Sequence, residues 1–465
     1  MIAKLGEKFT KLFLRYMPDA FVFAMLLTLL TASISLIWTE ATPIKIISAW
    51  YDGFWTLLEF GMQIVLIIIT GFAIALSPVV KKGVDFLTQY IKSPKQVYIL
   101  VMFLGALLSI VSFGWIIITC VLARELAIRV KGINYPFLMA LVFYSSASWV
   151  TGLSSSIPLL LGTENNYLIK SGVLSDTIPS SLSLGSGLNL AMLLLFIIGG
   201  PLLILLIFPK KSNNKELSDL LVDKNSKNEL SIEEEAKSLK LPFKTVSDTL
   251  NNSVILQYSM AFCGFAYIIY YFITKGMILN FNIMIFIFLM VGLVLHKTPI
   301  RYGIAMNRSS SNISGILIQY PFYAGIMGIM LYTGLGEKLA QVMASVATIT
   351  TYPFYSYITG ALVNFAIPSA GGEFAVVGPS IINAVKNIST GMPIEQVNAM
   401  IIRASLSVAY GESLSNLLQP FFLLLVMPVM AVGIKIQARD IMGYLVIPFM
   451  VFLIIQLILV TYMPL

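Results

Sequence analysis

The chain has 465 residues, of which 58% are hydrophobic and 11% charged, and its formal net charge is +8. Soluble domains carry about 25% charged residues, so this composition excludes an ordinary soluble protein. Apolar runs recur along the chain and predict an all-α polytopic membrane protein with roughly ten crossings and some shorter re-entrant pieces. Because the Lys and Arg residues are dispersed in short loops, we interpret them as topology signals and expect no nucleic-acid partner.

The N-terminus combines a basic segment with an apolar run over Ala20–Trp38. This run is too long for the core of a cleaved signal and lacks a small-x-small cleavage site, which favours an uncleaved first span. The positive-inside rule places the N-terminus in the cytoplasm. Apolar residues at helical spacing opposite the cations predict a helix lying on the lipid surface, formed by Ile2, Leu5, Phe9, Leu12, Phe13 and Tyr16.

The next two apolar stretches differ in the charges at their ends. Residues 54–76 return to the cytoplasm as a simple span. The stretch 97–123 is followed and preceded by Lys or Arg, which argues against a simple crossing. This stretch therefore predicts a hairpin that enters the membrane and returns, turning near Ser109, Ser112 and Gly114.

An interrupted helix and a charged linker complete the first half. Residues 136–162 run outward but contain Gly152, three serines and Pro158, which would break the helix, and 187–208 return inward. Residues 209–253 hold eight Lys and eight acidic residues and predict a solvated cytoplasmic linker without chemistry of its own. A connecting span over 254–280 follows.

The second half contains the motif NFAIPSAGGE at 364–373, within the apolar stretch 352–382. This stretch begins outside and predicts a hairpin that enters from that face. Residues 397–434 are too long for one plain span and are predicted to break around 411–416. Lipid offers no partners for free backbone groups, so such breaks occur where protein or a wet cavity surrounds them, as in carriers. The pattern indicates transport.

The two halves follow the same order of spans, hairpin, interrupted helix and final span, with hairpins that open to opposite sides. Local sequence repeats this order, with FGMQIVLIIITG at 60–71 against ILIQYPFYAG at 316–325, and GLSSSIPLLL at 152–161 against SLSNLLQPFFLLL at 413–425. We therefore predict two inverted repeats, 1–208 and 281–465, each with a re-entrant hairpin and an interrupted transmembrane helix.

Stretches in both halves match one known family, in order: MPDAFVFAMLLTLLT at 17–31, DGFW at 52–55, GLVLHKTP at 292–299, GILIQYPFYAGI at 315–326, NFAIPSAGG at 364–372, AYGE at 409–412 and RDIMGY at 439–444. On these residues the chain resembles the bacterial short-chain fatty acid transporter family, whose members accompany acetoacetate and butyrate utilisation. The resemblance implies import of such monocarboxylates in the bacterial inner membrane. Kinship with a wider ion transporter superfamily implies paired hairpins, a homodimer and elevator-like movement.

Candidate substrate-binding residues follow from the chemistry of a small carboxylate. Helix N-termini offer unpaired N–H groups and a positive dipole end to such an anion. These donors are expected from two turns, and side-chain hydrogen bonds from three amides, which gives Pro368, Ser369, Ala370, Gly371, Gly372, Ser154, Ser155, Ser156, Asn364, Gln319 and Asn416. Close helix packing is the alternative interpretation of the serines and glycines.

Two carboxyl groups at membrane depth are candidates for carrying the coupling ion, H⁺ or Na⁺, and no other cofactor is expected. Glu412 lies in a family motif and in an interrupted helix, and Glu373 lies in the second hairpin. Glu373 and Phe374 depart from the family pattern, where His and Trp are expected, and Glu373 has the alternative of an outward-facing vestibule. H⁺ is favoured for a monocarboxylate, and a Na⁺-coupled carrier of dicarboxylates is the alternative.

We predict structural roles for the remaining polar residues. Glu125 is placed to pair with Arg129 one turn on, Arg403 to meet an anion or a head group, and His296 to lie at the interface. Cys120 and Cys263 lack the spacing of metal ligands, so we predict that both serve helix packing. No P-loop, GxGxxG or HExxH motif occurs, so an intramembrane enzyme is a minor alternative, as is a channel.

Overall fold

The computed structural model describes residues 9, 11–12, 15–55, 58–164, 166–170, 172–209, 215–222, 231–239, 245–276, 281–310 and 313–465. The regular elements in these ranges are helices, which confirms the all-α prediction. The helix predicted on the lipid surface, with Ile2 and Leu5, lies mostly outside the described residues. Lys210 and Lys211, which were assigned to the cytoplasmic side, also lie outside them.

In the first half, long apolar helices alternate with shorter ones. They are α1 (Ala20–Trp38), α2 (Pro43–Gly53), α3 (Leu58–Ala75), α4 (Pro78–Thr88), α5 (Pro94–Val111), α6 (Ile116–Arg129), α7 (Tyr135–Ser146), α8 (Ser156–Leu161) and α9 (Gly187–Ile207). Ser77 and Ser93 start α4 and α5 by accepting a first-turn N–H, and each is followed by a proline. A polar cap followed by proline is a typical helix start.

The linker contributes α10 (Ile232–Ser238), and the connecting span is α11 (Val254–Lys275). The second half contains α12 (Phe281–His296), α13 (Pro299–Ser310), α14 (Ser314–Tyr332), α15 (Leu335–Ser345), α16 (Tyr352–Val363), α17 (Ala370–Ile388), α18 (Ile394–Ser415), α19 (Leu423–Met430) and α20 (Val446–Tyr462). The linker helix α10 packs on α13 and forms the ion pairs Glu233–Arg301, at 2.9 Å, and Glu235–Arg308.

Five helices in the described ranges are long and apolar enough to cross a membrane, or up to seven with two bent pairs. The five are α1, α5, Tyr135–Leu161, α9 and α11. One bent pair, at 46°, joins α18 to α19, as expected for an interrupted helix. Three further apolar helices are shorter, Asn282–His296, Leu317–Tyr332 and Val446–Tyr462. These segments agree with a multi-pass membrane protein.

Breaks in the helices position the candidate site. The chain turns between α5 and α6 at Ser112, between α7 and α8 at residues 152–155, and between α16 and α17 at 364–369. The break predicted around 411–416 lies a few residues later, because α18 continues to Ser415, a 3-10 turn covers Asn416–Leu418, and the chain bends at 419–422. Gly411 serves close packing instead, since a Cβ there would collide with the carbonyl oxygen of Tyr357.

The packing between residues 20–207 and residues 281–462 is reciprocal. Helix α14 packs on α1 and α2 of the first half, while α3 packs on α12 and α13 of the second. Within each half, the helix before the turn packs on the helix before the break, α5 on α7 and α16 on α18. The breaks of both halves are thereby brought to the interior.

Candidate functional site

A network of buried side chains joins the α16–α17 turn to the break between α18 and α19. Asn364 donates through Nδ2 to Ser415 Oγ at 2.8 Å and to Asn416 Oδ1 at 2.9 Å. Gln419 donates through Nε2 to Asn416 Oδ1 at 2.7 Å and to the Asn364 carbonyl at 3.3 Å. We call these four residues the amide network. It places polar side chains where two helices end and where their terminal backbone groups have no hydrogen-bond partner within the helix.

The carboxyl group of Glu412 is hydrogen-bonded to the amide network. Its Oε1 accepts a hydrogen bond from Asn416 Nδ2 at 3.0 Å, whereas Oε2 is buried without a donor. Glu373, in the first turn of α17, is fully buried, and neither of its oxygens has a donor among the described residues. Glu373 and Glu412 lie on α17 and α18, which pack on each other, and both side chains are buried. The burial of Glu373 does not fit the alternative of an outward-facing vestibule.

The unpartnered side-chain atoms of the amide network and the two carboxyls are oxygens. Among the described residues they are Asn364 Oδ1, Gln419 Oε1, Glu412 Oε2 and both carboxyl oxygens of Glu373. A buried acceptor without a donor is costly, and a buried charge without a partner is more so. A proton or another cation would satisfy several of these oxygens, so the region has the chemistry of a cation acceptor.

The first half forms a similar junction, made by backbone groups together with the side chains of Ser154, Ser148 and Asn189. The backbone N–H of Phe113, after the α5 break, donates to Ser154 Oγ at 3.1 Å. The N–H of Leu153 donates to the Ile110 carbonyl at 2.8 Å. A Cβ on Gly152 would collide with the backbone of Ile110, so glycine lets the two segments touch.

Side chains from both junctions meet. The Phe113 and Phe422 rings pack edge to face with centroids 5.3 Å apart. Ser413 of α18 donates through Oγ to the Ala147 carbonyl, next to the first break, at 2.8 Å. Helix α8 also packs on α17. The interrupted helices of the two halves therefore form one continuous polar and aromatic region.

The turn residues predicted to bind a carboxylate lie at the start of α17. Pro368 and Ala370 are buried, Gly372 is half-buried and Gly371 is exposed, with no atom within 4 Å of a Cβ placed there. Ser369 is the cap of α17 but makes no side-chain hydrogen bond to it. Because the first N–H groups of a helix lack partners within it, this turn presents donors beside an open space.

The other predicted binding residues are dispersed. Ser155 is the N-cap residue of α8, but its Oγ is buried and has no hydrogen-bond partner among the described residues. Ser156 is the first residue of that helix. Gln319 lies on α14, outside the amide network, and its Oε1 is buried without a donor. The structure thus brings Asn364, Asn416 and Glu412 into direct contact, whereas Gln319 is not in contact with them through any hydrogen bond among the described residues.

Two residues of the amide network, Ser415 and Gln419, were not predicted. Gln419 precedes Pro420 inside an apolar run, and a polar side chain beside a proline at membrane depth was the available signal. Arg124 was interpreted only as a topology signal. It donates from Nη1 to the Met430 carbonyl at 2.7 Å and from Nη2 to the Val432 carbonyl at 2.8 Å. A cation at this place stabilises the C-terminal end of α19.

The remaining structural predictions concern Glu125, Arg403, His296 and the two cysteines. Glu125 pairs with Arg129 at 2.5 Å, as predicted. Arg403 donates to a carbonyl at the end of α20 at 3.2 Å, and its contact with an anion or a head group stays a prediction. His296 is 2% exposed, and its Nε2 lies 2.7 Å from the Ala73 carbonyl, while its place at the membrane interface stays a prediction. Cys120 is buried, Cys263 is exposed, and both are free thiols.

Comparisons with known proteins identify the family. The family described as short chain fatty acid transporter matches residues 1–463. An Escherichia coli K12 protein, provisionally named a short-chain fatty acid transporter, is 34% identical over 445 residues and 96% of each chain. A Haemophilus influenzae protein of the same provisional name is 31% identical over 449 residues, again 96% of each. The solved YdaH transporter of Alcanivorax borkumensis matches 97% of both chains, with 14% identity and a TM-score of 0.39. The chain belongs to the short-chain fatty acid transporter family.

Proposed function

We propose that this transporter imports short-chain monocarboxylates, such as butyrate or acetoacetate, by proton symport through alternating access. The observation that carries the proposal is the amide network with its two buried carboxyls, at the place where a hairpin turn meets an interrupted helix. Broken helices that surround buried polar groups are typical of carrier sites. The family membership gives the class of solute.

The carboxylate of the substrate binds at the first turn of α17 in this proposal. The N–H groups around Gly371 lie beside open space, and the helix N-terminus favours negative charge. Ser154 to Ser156 supply further donors from the first junction, and Asn364 orients the turn through its amide. Gln319, on α14, has a buried side-chain oxygen without a donor among the described residues, and in this proposal it lines the path of the substrate.

The coupling proton is carried by Glu412, with Glu373 as a second acceptor. An anion that enters against a membrane potential costs about 2.3 kcal/mol per 100 mV, and one accompanying proton removes that cost. Glu412 offers a buried oxygen without a donor, and Glu373 offers two. A proton on either group removes an uncompensated buried charge, so uptake of the proton and closure of the site favour each other.

Sodium is the alternative coupling ion, together with a dicarboxylate substrate. The observation in its favour is that the unpartnered atoms of the amide network, Asn364 Oδ1 and Gln419 Oε1, are amide oxygens, which cannot take up a proton at ordinary pH but can ligate a hard cation. A carboxyl that takes up the cation favours H⁺, whereas neutral amide oxygens that ligate it favour Na⁺.

The same proposal places the protein in the bacterial inner membrane with a cytoplasmic N-terminus. Residues 1–208 and 281–465 form inverted repeats with oppositely directed re-entrant hairpins, joined by the 209–253 linker and the 254–280 span. The reciprocal packing of α14 on α1 and α2, and of α3 on α12 and α13, supports this arrangement. A homodimer is part of the expectation from the wider superfamily.

Uptake into proteoliposomes tests the function. Labelled butyrate, acetoacetate and succinate are offered with an inward proton gradient or an inward sodium gradient, and protein-free liposomes correct for passive entry of protonated acid. Saturable uptake of the monocarboxylates that follows the proton gradient is expected. Uptake of succinate driven by sodium alone would contradict the proposal and support the alternative.

A further inference from the structure

An apolar groove runs along α1 and ends at the turn of the second hairpin. Its volume is about 860 Å³. Side chains of α1 line it at intervals of three and four residues, from Phe23 through Leu30 to Trp38. At a rise of about 1.5 Å per residue this is a length of about 22 Å. Met330 and Leu339, from α14 and α15, form the opposite wall.

The groove is open to the side on which α1 faces lipid. Only 22% of this span is buried within the chain. Leu26, Leu30 and Leu362 line the groove and still expose 54%, 55% and 47% of their surface. In a bilayer these side chains would contact the hydrocarbon tails of lipids, so the part of a ligand that occupies the groove must be apolar.

The inner end of the groove adjoins the proposed carboxylate site. Phe365 and Ala366 line the groove and directly follow Asn364 of the amide network. The first turn of α17 begins at Ala370, where Gly371 is exposed and Gly372 lies beside Met327 of α14. A molecule with a carboxylate at this turn would therefore have an apolar channel for the rest of its length.

We propose that the groove binds the hydrocarbon tail of a medium-chain monocarboxylic acid whose carboxylate sits at the α16–α17 turn. Pockets of about 300–1,000 Å³ hold drug-sized ligands, so this groove exceeds what a four-carbon acid fills. The inference rests on the proposed function for its choice of a carboxylate head. It adds that longer acids compete with the short ones and reach the site from the lipid.

Paired tryptophan variants test the groove. Leu30 lines it, whereas the adjacent Leu29 is 65% exposed and does not. Inhibition of butyrate uptake is measured with straight-chain acids from butyrate to decanoate in wild type, Leu30→Trp and Leu29→Trp. The inhibition constant is expected to fall by up to about fourfold per methylene in wild type and Leu29→Trp, since each buried CH₂ contributes about 0.8 kcal/mol. It should become nearly independent of length in Leu30→Trp. All proteins share the same lipid, so partition of the acids and proton leak cancel in the comparison.

A binding measurement separates this inference from the proposed function. Labelled decanoate is titrated onto each protein in lipid nanodiscs, with empty nanodiscs subtracted, so no transport is needed. Saturable binding weakened about tenfold or more in Leu30→Trp alone would support the groove, even if butyrate uptake failed.

Three results would overturn the groove proposal. The first is equal decanoate binding in both variants. The second is a co-purified phospholipid, one per chain by native mass spectrometry, that only Leu30→Trp loses. The third is a change of oligomeric state in Leu30→Trp alone, which would assign the groove to a second copy of the chain.

Discussion

The two junctions between hairpin and interrupted helix have similar architecture and different chemistry. In the first, the contacts include backbone groups, the Ser154 and Ser148 hydroxyls and the Asn189 amide. In the second, Asn364, Asn416 and Gln419 form a buried network that continues to Glu412. A carboxyl at membrane depth costs roughly 2.5 to 3.5 kcal/mol on insertion scales. We infer that the second junction carries solute and proton chemistry, and that the first supports it.

The largest expected difference comes from one substitution in each junction. Asn416→Ala removes the donor to Glu412 Oε1 and one of two acceptors each for Asn364 and Gln419. The Ser415 hydroxyl and the Asn364 carbonyl remain as the second acceptors, so Glu412 is the group left without its partner. Each buried group left without a partner costs about 1 to 3 kcal/mol, so butyrate uptake should fall by about tenfold to hundredfold. Ser154→Ala removes one hydrogen bond and should lower uptake by less than about tenfold.

Initial rates, divided by the amount of protein in the vesicles, measure both variants. A larger loss in Ser154→Ala than in Asn416→Ala would reverse the assignment of the two junctions.

A second pair of variants should affect both junctions alike. A Cβ on Gly152 would collide with the Ile110 backbone, and one on Gly411 with the Tyr357 carbonyl. Overpacking of this kind typically costs about 1 to 3 kcal/mol, so Gly152→Ala and Gly411→Ala should both lower the thermal unfolding temperature of the purified protein. Gly303→Ala is the matched control, because a Cβ there has no neighbour within 4 Å. Unchanged stability in Gly411→Ala would show that α16 and α18 are not in such close contact.

The smallest expected effect concerns the cations at two helix ends. Arg124 donates to the carbonyl of Met430, the last residue of α19, and to that of Val432 just after it. Arg403 makes one bond of 3.2 Å and a longer one at the end of α20. Lysine keeps the charge but not the forked geometry. Arg124→Lys should reduce stability by about 1 kcal/mol and Arg403→Lys by less. Thermal unfolding of both proteins in one detergent measures the difference, and an equal or opposite ranking would exclude a special role for Arg124.

The hairpin turn and the buried carboxyls could be predicted because they interrupt apolar runs. NFAIPSAGGE contains a proline and consecutive glycines where a membrane helix would continue, and the structure ends α16 and starts α17 within it. Glu412 was singled out because a carboxyl in an apolar helix is unusual. These signals are local in the sequence.

The remaining features depend on contacts between distant segments. Gly411 looked like a break but lies inside α18, since its role is to admit the Tyr357 carbonyl from another helix. The hydrogen bond from Arg403 to the end of α20 joins two segments that are 57 residues apart in the sequence. The partners of Gln419 come from α16 and from the break itself, and spacing alone does not reveal which amide meets which.

The central claim is that Glu412 carries the proton that drives monocarboxylate import. Exchange of labelled for unlabelled butyrate does not require the proton to leave the carrier, whereas accumulation along a proton gradient does. The test measures both in Glu412→Gln, with Glu395→Gln, an exposed residue of the same helix, as the control. We expect Glu412→Gln to retain exchange and to lose accumulation above the level of protein-free liposomes. Accumulation at the wild-type level, or loss of exchange together with accumulation, would contradict the claim.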